Sequence, residues 1–265
     1  MDTPILLAPR EVAADTDALT THLDVPGAGK LPVNAFLIRA AEPVLVDTGI
    51  PPHARDFVEK LSSLTELEDL RWIWLTHADA DHTGALYELL EVAPNARLVT
   101  TFMGMGKLNL SRPLPPERVH LLNPGQRLSV GDRELVALKP PSYDANETTA
   151  LFDAKTRALF SADSFGALLP EPILDAAELP SGVLRDGLVT WTTIDAPWIH
   201  DVEEAALGRA LDAIRALRPS AILSSHAPPA RDRVDALLGY LAEARAAPRF
   251  VGPDQEALLK MAMAA

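Results

Sequence analysis

Thr76-His77-Ala78-Asp79-Ala80-Asp81-His82-Thr83-Gly84 follows directly on the apolar run Trp72-Ile73-Trp74-Leu75. His77, Asp79, Asp81 and His82 are metal-capable side chains separated only by alanine. The run before them reads as a buried strand, so the cluster lies where a strand leaves its sheet. Imidazole and carboxylate suit borderline and hard divalent ions. In an extended segment residues two apart point the same way. His77, Asp79 and Asp81 are therefore expected to converge, with His82 turning into the following helix. One tetrahedral ion rarely takes four ligands from so short a segment, and two adjacent ions divide them more naturally.

Working outward, the same arrangement recurs. Asp163 lies just past an apolar run in Leu159-Phe160-Ser161-Ala162-Asp163-Ser164-Phe165-Gly166, and His226 ends the strand-like Ala221-Ile222-Leu223-Ser224-Ser225. Alone, each would read as a turn Asp or a loop His. Beside the first cluster, Asp163 becomes a candidate bridging carboxylate. Asp47-Thr48-Gly49 ends Pro43-Val44-Leu45-Val46, and Asp47 is placed to orient a ligand histidine.

The rest of the chain alternates short apolar runs with turn signals. Strands are expected over 33–38, 43–46, 96–101, 119–122, 127–130, 134–138, 150–152, 158–161 and 221–225. Helices are expected over 54–64, 85–90, 201–217 with Asp201 as its cap, 233–246 and from Asp254 onward. Residues 166–198, rich in proline, read as loop with some helix. One α/β domain of two packed sheets covered by helices accommodates this order. It spans residues 1–265, with 228–265 as a C-terminal helical extension.

Composition narrows the function. The 265 residues are 48% hydrophobic, and 37 acidic against 24 basic residues leave a net charge of −13. Such a surface argues against broad contact with nucleic acid or anionic lipid. There is no cysteine, which removes disulfides, thiolate ligands and iron–sulfur clusters. No signal-like segment and no apolar stretch of membrane-spanning length stand out, so a soluble cytoplasmic protein is expected. The apolar residues near Leu258 and Leu259 are expected to pack on their own domain; they also allow a homo-oligomer.

From about Asn34 to Pro228 these pieces, in this order, resemble the metallo-β-lactamase superfamily, whose signature is H-x-H-x-D-H with a downstream His, a bridging Asp and a final His. The resemblance implies an αββα sandwich, two mixed sheets face to face with helices outside and a dinuclear site at the sheet edge. Asp79 stands where most members have the second His. A carboxylate there marks the flavodiiron-type branch, whose motif is H-x-E-x-D-H, and Asp is shorter than that Glu. The downstream His is missing: Asp144 falls at or beside its position, with Tyr143 and Glu147 as neighbours.

Carried over position by position, the resemblance implies one metal held by His77, Asp79 and Asp144, and a second held by Asp81, His82 and His226, with Asp163 bridging. Asp81 and Asp163 are the expected catalytic residues. An oxygen-rich site favours iron or manganese over zinc and lowers Lewis acidity. The leading expectation is thus a non-haem di-iron oxidoreductase that binds or reduces dioxygen, nitric oxide or peroxide, taking electrons from a separate transfer protein. One alternative is a zinc-, manganese- or iron-dependent hydrolase of an ester, lactone, amide or phosphoester, with Trp191 and Trp198 in a substrate wall. Another is a degenerate single-metal sensor or interaction protein.

Overall fold

The computed structural model describes residues 4–264. The first sheet runs in chain order: β1 (Arg10–Ala13), β2 (Thr16–Val25), β3 (Gly29–Ile38), β4 (Val44–Val46), β5 (Trp72–Trp74), β6 (Arg97–Thr100) and β7 (Val119–Leu121). The second comprises β8 (Arg127–Ser129), β9 (Glu134–Leu138), β10 (Ala150–Asp153), β11 (Ala158–Phe160), β12 (Ala221–Leu223) and β13 (Ala230–Arg231) in order from edge to edge. Helices α1 (Ala54–Ser62), α2 (Leu86–Val92) and α3 (Phe102–Ser111) cover the first sheet. Helices α4 (Ser181–Asp195), α5 (Glu204–Leu217) and α6 (Val234–Ala244) cover the second, and α7 (Gln255–Ala264) follows.

Strand alternation builds these layers. Phe36, Ile38, Val44, Val46 and Trp74 point between the sheets, where they meet Leu135, Leu151, Phe160 and Leu223. Their chain neighbours Leu37, Leu45, Ile73 and Leu75 point the other way, onto Phe57, Leu61, Leu86 and Leu89 of α1 and α2. Period-two side-chain placement thus fills both faces of each sheet and gives the αββα sandwich. Phe36 and Phe160 meet edge to face across the interior at 5.4 Å between centroids.

Several elements depart from the sequence expectation. The hairpin β2–β3 pairs ten residues with ten, from Thr16↔Ile38 to Val25↔Gly29. The polar stretch Thr16-Asp17-Ala18-Leu19-Thr20-Thr21-His22 conceals β2 because its pattern carries little apolar alternation. Within 166–198, expected as loop with some helix, residues 181–195 form one full helix. Pro170, Pro172, Pro180 and Pro197 all lie outside it, so the prolines bound the helix instead of breaking it. Asp201 does not cap α5, which begins at Glu204 with no side-chain cap; it pairs with Arg249. Beyond His226 the chain is more than an extension. β13 pairs with β12, and Leu237, Leu238 and Leu241 of α6 enter the core. Leu258 and Leu259 remain more than half exposed, at 52% and 54%, rather than packing inward. Among the described residues no helix is long and apolar enough to cross a membrane.

Candidate metal centre

Parallel neighbours deliver their C-terminal ends to the same edge of a sheet. β4 and β5 are parallel, and so are β11 and β12. Asp47, His77, Asp163 and His226 each follow one of these four strands. Asp144 arrives from the loop before β10, and Thr149 at the end of that loop donates its N–H to the Thr76 carbonyl at 2.9 Å. The sandwich therefore collects chemistry from both sheets at one rim.

Asp163 is the hub. Its carboxylate lies 3.3 Å from His77 Nε2, 3.1 Å from His82 Nε2 and 3.2 Å from His226 Nε2. Asp81 lies 3.4 Å from His226 Nε2 and 3.7 Å from His82 Nε2, and Asp144 lies 3.9 Å from His77 Nε2. His77, Asp79 and Asp144 offer ligand atoms within 4.8 Å of one another; so do Asp81, His82 and His226, and so do His77, His82 and Asp163. His77 Nε2, His82 Nε2 and Asp163 Oδ1 are buried without a hydrogen-bond partner. Two ligands bonded to one ion at about 2.1 Å stand roughly 3.0–3.4 Å apart. The Asp163–histidine separations match that spacing, and the orphaned buried atoms are those a cation would satisfy. The residues present fit a dinuclear metal site.

The turn after Asp79 divides the motif. His82 N–H and Thr83 N–H both donate to the Asp79 carbonyl at 3.1 Å. Asp81 therefore swings to the His226 pole instead of sharing a side with His77 and Asp79, which corrects the extended-segment expectation. The imidazoles and the carboxylates differ in access: His77, His82 and His226 are each 1% exposed, whereas Asp81 is partly exposed and Asp79 and Asp144 face solvent.

Protonation follows the same geometry. Burial works against the charged form of His226, but Asp163 and then Asp81 outweigh it and hold the imidazole up at about 9. Burial likewise opposes charging His82, and Asp163 and Asp47 raise it well above the usual histidine range. Burial alone would raise Asp163, yet His77, His82 and His226 pull it well below the ordinary carboxylate range. The metal-free centre thus stores protons on the nitrogens that a metal would occupy.

Neighbouring groups fix the direction of the imidazoles. Asp47, in a left-handed conformation at φ 59°, accepts from His82 Nδ1 at 2.9 Å, from Thr76 N–H at 2.8 Å and from Ser225 Oγ at 3.3 Å. This is the orienting role expected of it, and it leaves His82 Nε2 facing the centre. His226 Nδ1 donates to the Pro32 carbonyl at 2.9 Å, with the same effect. Asn34 on β3 ties the two sheets together at this rim by donating its side-chain N–H groups to the carbonyls of Ser224 and Ala227. A Cβ at Gly166 would fall 2.4 Å from Trp191 Nε1 and 2.8 Å from the His226 Cβ, so only glycine admits both. Trp191 Nε1 then donates to the Asp163 carbonyl at 3.1 Å.

All seven residues singled out by sequence come together here: His77, Asp79, Asp81, His82, Asp144, Asp163 and His226. The other two candidates near Asp144 do not join them. Glu147 is buried against Lys107, and the Tyr143 ring packs on Trp198 at 4.9 Å. Trp191 packs against His226 at 4.9 Å, so it braces that imidazole. Sequence reasoning missed Asn34 and Asp195. Asp195 ends α4 with its carboxylate within 4.8 Å of those of Asp144 and Asp163. Burial first, and the Asp163 charge next, push it up to about 8. Asp195 lies far along the chain from Asp144 and Asp163, inside a segment that reads as loop with some helix, so no local pattern marks it.

Residues 28–226 match the Metallo-beta-lactamase superfamily. The chain belongs to that superfamily. Its curated relatives include an anaerobic nitric oxide reductase flavorubredoxin of Enterobacter sp. (strain 638), 31% identical over 134 residues that make up 50% of this chain and 28% of that protein. They also include the type A flavoprotein fprA of Rhodobacter capsulatus, 34% identical over 137 residues, 51% of this chain and 32% of that one. The aligned part of this chain thus spans about a third or less of the length of these curated relatives. Among solved structures, a mutant of the flavo di-iron protein from Thermotoga maritima superposes with a TM-score of 0.80 at 17% identity, over 94% of this chain and 63% of that one. The sandwich expected from the sequence is therefore the fold observed, shared with flavodiiron proteins.

Proposed function

We propose that this chain holds two metal ions, iron in preference to manganese or zinc, and binds or reduces dioxygen or nitric oxide as an oxidoreductase. The carrying observation is the donor set around Asp163: three imidazoles and four carboxylates at one sheet rim, with three buried ligand atoms unpartnered. His77, Asp79 and Asp144 are assigned to one ion, Asp81, His82 and His226 to the other, and Asp163 to both. Four carboxylates balance the charge of two divalent ions. That oxygen-rich, neutral set favours hard, redox-active ions and weakens the Lewis acidity on which hydrolysis depends.

Bound iron would supply electrons and open coordination positions to a small oxidant. The chain's own groups do the rest. Asp47 and the Pro32 carbonyl hold His82 and His226 with Nε2 inward. The carboxylates Asp79 and Asp144 give access from solvent, while the imidazoles of His77, His82 and His226 lie buried behind them. The chain has no cysteine to hold an iron–sulfur centre, and this reading assigns the supply of electrons to a separate redox protein. The nitric oxide reductase among the relatives supports the same reading.

The test is anaerobic loading with ferrous iron followed by limiting dioxygen or nitric oxide. The iron-loaded chain is expected to consume the gas in proportion to its iron, and a zinc-loaded chain to leave it untouched. Hydrolysis of generic esters by the zinc form, with no gas uptake by the iron form, would replace this reading with a hydrolase.

A further inference from the structure

Asp195 has surroundings that a carboxylate does not normally tolerate. It is the last residue of a fifteen-residue helix, where the helix dipole presents its negative end. It is only partly exposed, and its carboxylate has no hydrogen bond and no ion pair among the described residues. The groups it does approach, within 4.8 Å, are the carboxylates of Asp144 and Asp163. Three clustered carboxylates at a helix C-terminus repel one another unless a cation lies between them. Independently, His77 Nε2 is buried without a hydrogen-bond partner and lies between two of these carboxylates, 3.3 Å from Asp163 Oδ2 and 3.9 Å from Asp144.

We propose that Asp195 is a further carboxylate ligand of the ion assigned to His77, Asp79 and Asp144, an inference that rests on the dinuclear reading above. Each ion is assigned three ligands besides Asp163, but this pole is the more loosely gathered. Asp144 stays 3.9 Å from His77 Nε2, wider than the 3.1–3.3 Å between Asp163 and the three histidines. A second oxygen arriving from α4 closes the gap. It also makes five carboxylates face two ions. With divalent ions the centre then carries a net negative charge, which favours the higher-valent state of a redox metal and harder ions at this pole.

The experiment compares the full chain with its Asp195→Asn variant, titrated anaerobically with ferrous or manganous ion alone and followed by calorimetry, metal stoichiometry and melting. The wild type is expected to bind two ions, and the variant to bind one of them on the order of 10–100-fold more weakly. The metal-free variant is expected to melt above the metal-free wild type, because a repelling carboxylate is gone; with metal the order reverses. Equal affinity for both ions in the two proteins would overturn the assignment of Asp195 and leave the two-metal reading standing. Lower melting of the variant both with and without metal would mark a structural role and also overturn it. A wild type that binds fewer than two ions would overturn the dinuclear reading, and this inference with it.

Discussion

Replacing Asp163 with alanine is expected to remove both ions, taking metal content from about two per chain to about none. The reason is its position: one carboxylate lies 3.1–3.3 Å from three imidazole nitrogens drawn from both poles. Among the described residues no other carboxylate pairs with both His77 and His226: Asp144 meets only the first and Asp81 only the second of these two. The metal-free protein supplies a second readout. In the fold His226 is held at about 9, against an ordinary 6.5. A histidine raised in this way stabilises the metal-free chain fully below pH 6.5, and that contribution fades as pH climbs through about 9. Asp163 is the largest cause of the raised value, so Asp163→Ala should flatten this part of the stability profile. Melting followed from pH 6 to 10 would show it. Retention of both metals, or an unchanged profile, would contradict the role given to Asp163.

The second large effect lies at the opposite end of the sandwich. Arg133 is buried and bonds Asp153 at 3.0 Å, Asp15 at 2.9 Å and Asp132 at 2.8 Å. Asp153 is completely buried, with its other oxygen taken by the N–H groups of Lys155 and Thr156. Arg133→Met keeps the aliphatic stem but leaves the Asp153 charge buried and short of its partner. Breaking a buried pair in this way costs about 3–5 kcal/mol. Denaturant unfolding should register that loss, while metal content at the distant rim stays unchanged. Exchanging Arg133 and Asp153 together for apolar residues should recover much of it.

How far the sequence reveals this molecule depends on how local each signal is. Trp72–Leu75 followed by alternating His and Asp reveals both a strand and a metal site, because ligands and strand end lie within one short segment. Asp163 and His226 gain meaning only as members of an ordered set, each following an apolar run. The αββα layering is legible because inward and outward residues alternate strictly, as in Phe36, Leu37 and Ile38. What escaped was non-local or unpatterned. β2 is polar in sequence and becomes a strand through its pairing with β3. α4 is hidden by the prolines that flank it, and Asp195 is hidden with it. The split of the metal motif into two poles depends on backbone bonds to the Asp79 carbonyl, which periodicity does not encode.

The central claim is that an oxygen-rich dinuclear centre in this superfamily fold carries iron. The most direct measurement is metal analysis, with Mössbauer and absorption spectra, of protein purified without added metal. The account predicts about two irons per chain, coupled to each other and showing oxo-bridge absorption. Two zinc ions, or a single ion with Asp144 and Asp195 unbound, would contradict it.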